Sequence, residues 1–85
     1  MKTLYYFTAP WCGPCRQAAP SIQKLKDEFA EKVEFIKVDV DEQRERAVEA
    51  GIGSVPTFHL HQDGEKVGEM VGFRGEAALR AMLEA

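Results

Sequence analysis

Two apolar runs separated by a stretch of helical periodicity constrain this chain more than any other feature. Leu4-Tyr5-Tyr6-Phe7 is apolar and aromatic without alternation, as in a strand buried on both faces. Ala9-Pro10-Trp11 interrupts it. From Cys15 the apolar positions recur at Ala18, Ile22, Leu25 and Phe29, in steps of three and four that mark one face of a helix. Arg16, Gln23, Lys24, Asp27 and Glu31 fall on its other faces, and Pro20 sits inside it, where proline removes a hydrogen bond and kinks the helix. Val33 to Val40 reads as a second strand, with Val33, Phe35, Ile36, Val38 and Val40 as its apolar positions. A strand, a helix and a strand in this order call for parallel strands joined by a right-handed crossover.

The remainder extends that unit. Asp41 suits the N-cap of a short helix reaching about Ala50, and Gly51 suits a left-handed stop. Thr57 to His61 and Glu65 to Val71 are strand patterns around the turn Gln62-Asp63-Gly64, hence a hairpin. Glu76 to Leu83 closes the chain as a helix with Leu79, Met82 and Leu83 inward. The expected order is β-α-β-α-β-β-α, an α/β fold with one mixed four-stranded sheet and helices on both faces. With 85 residues, no internal repeat and no linker, residues 1–85 read as one domain.

Composition excludes several classes of function. No stretch approaches the ~18 consecutive apolar residues of a membrane span. The N-terminus shows Lys2 and a short apolar run but no long apolar core with a cleavage site, so no secretion signal is read. A net charge of −3 gives no support to nucleic-acid binding. The chain carries only two cysteines, three positions apart, whereas small secreted domains spread several to staple loops. Closing a four-residue ring stabilises by about 2 kcal/mol in a chain-entropy model, a weak staple. The pair therefore points to chemistry, and the location to the cytoplasm.

Cys12 and Cys15 stand where the first strand hands over to the first helix, outside the carboxyl end of a strand, where sites gather in open α/β sheets. Residues three apart on a helix have Cβ atoms about 5–6 Å apart, and a disulfide needs roughly 3.5–4.5 Å, so a modest adjustment opens or closes the ring. Free backbone N–H groups at the helix start favour a Cys12 thiolate. Lowering a thiol from about 8.5 to about 7 raises its thiolate fraction at neutral pH from a few per cent to about half. Falling nucleophilicity trims the net gain in attack to about threefold. The larger benefits are a better leaving group at Cys12 and an intramolecular attack by Cys15. Cys12, at the exposed tip, is expected to attack; Cys15, one turn inward, to resolve.

These residues resemble the thioredoxin family. Trp11-Cys12-Gly13-Pro14-Cys15 matches its active-site motif, Pro20 its helix proline, and Val55-Pro56-Thr57 its loop bearing a cis-proline opposite the cysteines. Asp63-Gly64 and Val71-Gly72 match its hairpin turn and a glycine near the substrate groove. The resemblance implies a protein-disulfide reductase with a Cys12–Cys15 redox-active disulfide and no bound cofactor. It implies disulfide-containing protein substrates, recycling by a thioredoxin-reductase-like flavoprotein, and a monomer that needs neither nucleic acid nor membrane. Gly13, Pro14 and Lys37 would support the site; Trp11, Val55, Pro56, Gly72 and Phe73 would contact substrate.

Two departures stand out. The chain begins at the central strand, without the first strand and helix of full-length thioredoxins, and in length is similar to glutaredoxins. The family's buried aspartate, six residues before the first cysteine, is here Tyr6, which leaves open what deprotonates Cys15. Glutaredoxins bind glutathione through a Gly-Gly-x-Asp type segment; here the stretch is Val71-Gly72-Phe73-Arg74, so glutathione use is not supported. Gly72-Phe73-Arg74 does look like the end of small redoxins that serve ribonucleotide reductase, an alternative substrate. A non-catalytic scaffold is a second alternative, against which both intact cysteines argue. Zinc binding by the cysteines with His59 and His61 fits by residue type. The strand bearing those histidines, however, runs away from the cysteines. Both rings are instead expected to line a partly open sheet face.

Overall fold

A computed structural model describes residues 1–85, with elements in the order β1 (Lys2–Thr8), α1 (Gly13–Glu28), β2 (Val33–Asp39), α2 (Arg44–Glu49), β3 (Thr57–Gln62), β4 (Glu65–Val71) and α3 (Glu76–Glu84). The sheet runs β2-β1-β3-β4. β1 pairs parallel with β2, from Lys2↔Val33 to Thr8↔Asp39, and antiparallel with β3, from Lys2↔Gln62 to Phe7↔Thr57. The β3–β4 hairpin turns at Asp63 and Gly64, both at positive φ, and its register slips by a bulge between Leu60 and His61.

Strand alternation sorts the side chains. Leu4, Phe58, Leu60 and Met70 point to one face, where Ala18, Ile22 and Leu25 of α1 and Leu79 and Leu83 of α3 complete the main core. Those helix residues recur at steps of three and four, which is why both helices bury a stripe and leave their charges outside. Met82 is half-buried at the edge of this core, against Gly68 of β4. The helices are latched at the surface: Arg80 of α3 donates two hydrogen bonds of 3.0 Å to the Glu28 carboxylate of α1 and another of 3.1 Å to Glu76. α1 runs unbroken across Pro20, whose missing N–H leaves the Arg16 carbonyl without its usual partner.

The opposite face carries Tyr5, Phe7, Val38 and His59. Here α2 contributes buried Ala47, and the Arg46 guanidinium lies 5.2 Å from the Tyr5 ring centre. The first strand is thus not sealed on both sides as its apolar run suggests, because Tyr5 and Tyr6 remain half-exposed. His59 corrects the expectation of an open histidine face. It is only 4% exposed, packed edge-on against Phe7 and 3.6 Å from the Glu69 carboxylate. His61 is half-buried beside Tyr5.

α2 begins at Arg44 rather than at an Asp41 cap. The Asp39 carboxylate accepts the Asp41 and Glu42 backbone N–H groups at 2.9 and 3.3 Å, holding a turn where the helix was expected to start. Gly51 ends the helix at φ 73°, as its position implied.

Candidate active site

Ala9, Pro10 and Trp11 carry the chain from β1 to α1, and the Cys12 N–H closes a turn on the Ala9 carbonyl at 3.2 Å. Cys12 is the N-cap of α1, with extended backbone (φ −86°, ψ 108°), and Pro14 lies in the first turn, where its missing N–H costs nothing. Cys12 and Cys15 form a disulfide with their Cα atoms 5.2 Å apart. The Cys12 sulfur also accepts the Cys15 backbone N–H at 3.1 Å. A sulfur in the N-cap position takes the place usually filled by a Ser or Asp oxygen, so negative charge developing on it meets a ready donor and the positive end of α1.

Cys12 departs from the exposed tip expected of it. It is 3% exposed and Cys15 4%, packed with Ala9 and flanked by Val40 and Val55. The cause is long-range. The loop before β3 folds over the cysteines, bringing the Val55 carbonyl oxygen to 3.6 Å from the Cys12 sulfur.

That loop is built around a cis Val55–Pro56 bond. The Thr57 hydroxyl donates to the Ser54 carbonyl at 2.8 Å, and the Gly72 N–H donates to the Pro56 carbonyl at 2.8 Å. Gly72 has φ 79°, a left-handed conformation that only glycine adopts cheaply. Pro56 itself is buried and Val55 half-buried, and no backbone–backbone hydrogen bond engages Val55.

Trp11 is 65% exposed, and its indole N–H donates to the Asp41 carboxylate at 2.8 Å, pinning a large apolar surface beside the disulfide. Sequence reasoning assigned Asp41 a helix cap and missed this contact, since nothing local joins positions 30 apart. Phe73 is half-buried with its ring 6.3 Å from that of Phe58, so most of it serves the core and only an edge is free for a partner.

On the other flank of α1, a cleft of about 300 Å³ reaches Cys15 but not Cys12. Tyr6, Thr8, Arg16, Lys37 and Asp39 are among its walls. Tyr6, at the position of the family's aspartate, stacks on Phe58 with ring centres 5.8 Å apart, and Lys37 is exposed on the edge strand β2.

A disulfide ring at a helix start, under a cis-proline loop, has relatives in sequence and in structure. The thioredoxin family model matches residues 1–85. The chain belongs to the thioredoxin family. It is 43% identical over 77 residues to a thioredoxin of Bacillus subtilis, covering 91% of this chain and 74% of that one. It superposes with a TM-score of 0.90 on a thioredoxin of Fasciola hepatica, at 40% identity, covering 98% of this chain and 78% of the other. The oxidised mitochondrial thioredoxin 3 of Saccharomyces cerevisiae gives 0.89 at 36% identity, covering 98% and 76%. The chain is accordingly a thiol–disulfide oxidoreductase with Cys12–Cys15 as its redox-active disulfide.

Proposed function

We propose that this thioredoxin-family chain reduces disulfides in partner proteins, with Cys12 attacking and Cys15 resolving. The observation that carries the assignment is the Cys15 N–H aimed at the Cys12 sulfur, which favours negative charge on Cys12. In the reduced chain the Cys12 thiolate attacks a partner disulfide, releasing one partner thiolate and forming a mixed disulfide. The Cys15 thiolate then attacks the Cys12 sulfur. The mixed disulfide breaks, its electron pair leaves on the partner's sulfur, and Cys12–Cys15 closes. The partner gains two electrons and the chain loses two.

The N–H and carbonyl of Val55, engaged in no backbone–backbone hydrogen bond, offer an extended segment a strand-like seat beside the sulfur. Trp11, Pro56, Gly72 and the edge of Phe73 flank it. Gly13-Pro14 between the cysteines supports a reducing rather than an oxidising member. A flavoprotein of the thioredoxin-reductase type returns the chain to the dithiol. The chain acts as a monomer, as the family resemblance implies, and in the cytoplasm, the location being supported by a cysteine count of two, both in the motif.

Trapping tests the assignment. Mixed with a disulfide-bonded protein, Cys15→Ser accumulates a covalent adduct that reducing agent dissolves, and Cys12→Ser accumulates none. Equal trapping by both variants reverses the roles; failure of the unsubstituted chain to reduce any protein disulfide removes the function.

A further inference from the structure

The resolving thiol must lose a proton while a partner protein covers Cys12, and the structure shows where that proton can leave. Cys15 is only 4% exposed, and the cleft beneath it opens on the opposite flank of α1 from the Val55 loop. Four side chains on its walls carry a charge or a titrating group. Tyr6 comes from β1, Lys37 and Asp39 from β2, and Arg16 from α1. Tyr6 contributes a phenol ring and no fixed charge. One Asp39 oxygen is engaged with the amides of Asp41 and Glu42. The cleft therefore holds two cations against one carboxylate.

Arg16 is placed against its own helix. A cation near a helix N-terminus is disfavoured by the macrodipole, and α1 has no acidic residue in its first turn to offset it. Its guanidinium is nevertheless held there: Nη1 donates to the Pro10 carbonyl at 2.9 Å, across the loop that precedes Cys12. This fixes a permanent charge at the mouth of the Cys15 cleft. Arg16 and Pro10, the two ends of this tether, both line the cleft.

We propose that Arg16 is a positioning residue for the resolving step, its tethered guanidinium favouring the Cys15 thiolate. The proton passes from the Cys15 thiol to water in the cleft, and the new thiolate attacks the Cys12 sulfur. The bond to the partner breaks, and the departing partner thiolate takes up a proton from solvent. The inference rests on Cys15 as the resolving thiol, but its test reads Cys15 directly and does not depend on that role.

The test uses the full chain with Cys12→Ser, which leaves Cys15 as the sole thiol, and follows thiolate ultraviolet absorbance against pH. Arg16→Lys, Arg16→Gln and Arg16→Glu are compared in that background. For an exposed charge acting over several ångströms, Arg16→Gln raises the Cys15 midpoint by about 0.3–0.5 pH unit, roughly two- to threefold less thiolate. Arg16→Glu raises it further, Arg16→Lys leaves it near the parent, and added salt compresses the series. With both cysteines present, the adduct decays more slowly in the same order. Coincident titrations for all variants overturn the proposal. So does an Arg16→Lys that behaves like Arg16→Gln, which would leave only a loop tether.

Discussion

The Cys12 sulfur and the Val55 carbonyl oxygen lie 3.6 Å apart, although 43 positions separate the two residues. In the disulfide this is a contact; in the dithiol a Cys12 S–H has an acceptor there, until ionisation turns the same oxygen into an unfavourable neighbour. Reduction therefore changes the forces on the loop as well as the ring. Removing a four-residue ring costs about 2 kcal/mol in a chain-entropy model. The reduced chain is expected to unfold at lower denaturant by about that amount, measured on matched samples with and without dithiol reductant. Equal midpoints would show that the ring contributes nothing to the fold.

Gly72 holds the Pro56 carbonyl from a left-handed backbone, and open space surrounds the position of an added Cβ. Gly72→Ala meets conformational cost without steric clash, about 1–2 kcal/mol. Because the hydrogen bond to Pro56 depends on that backbone, KM for a protein disulfide is expected to rise as stability falls. Denaturant unfolding and steady-state reduction assays give the two numbers.

Tyr6 occupies the family's aspartate position and stacks on Phe58. Tyr6→Asp gives up the stacking and brings a carboxylate against the main core, with an expected loss of about 2–4 kcal/mol. Tyr6→Phe keeps the ring and loses less than about 1 kcal/mol. A Tyr6→Asp chain as stable as the parent would mean that the cleft hydrates the carboxylate freely.

Burial of the His59 ring pushes its pKa below the usual 6.5, aided by the Lys66 charge and opposed by Glu69. The unfolded chain then binds the proton more readily than the folded one. This penalty is absent above pH 6.5 and grows as pH falls through that value toward the lower folded pKa. The melting temperature of the parent is expected to drop more steeply than that of His59→Gln over this window. Parallel profiles would place the ring in water.

Arg80 bridges α3 to α1 through paired hydrogen bonds to Glu28, which hold the Glu28 carboxyl below its ordinary range. The pair is solvent-exposed, so screening limits its worth. Arg80→Ala is expected to lower the melting temperature slightly, by less at high salt. Arg80→Lys recovers only part, since an ammonium lacks the planar two-pronged donor. Full recovery by lysine would reduce the contact to simple charge.

The β-α-β unit, the hairpin and the closing helix were legible because their apolar periods are local. The cysteine pair was legible because its spacing and its place at a strand-to-helix junction are local too. What escaped depends on contacts between distant positions. Cys12 looks like an exposed tip until the Val55 loop is folded over it. Asp41 looks like a helix cap until Trp11 claims its carboxylate and Asp39 takes the neighbouring amides. His59 looks half-open until Phe7 and Glu69 enclose it. The bulge in the β3–β4 hairpin, where Val67 is the added residue between the pairs Leu60↔Gly68 and His61↔Lys66, is not disclosed by either strand alone because it exists only in the pairing of the two.

The cleft under Cys15 gives the catalytic pair two doors on opposite sides of one helix. A client protein can sit squarely over one sulfur without stoppering the exit of the other. Covering Cys12 with a client therefore leaves the Cys15 side of the pair open to water.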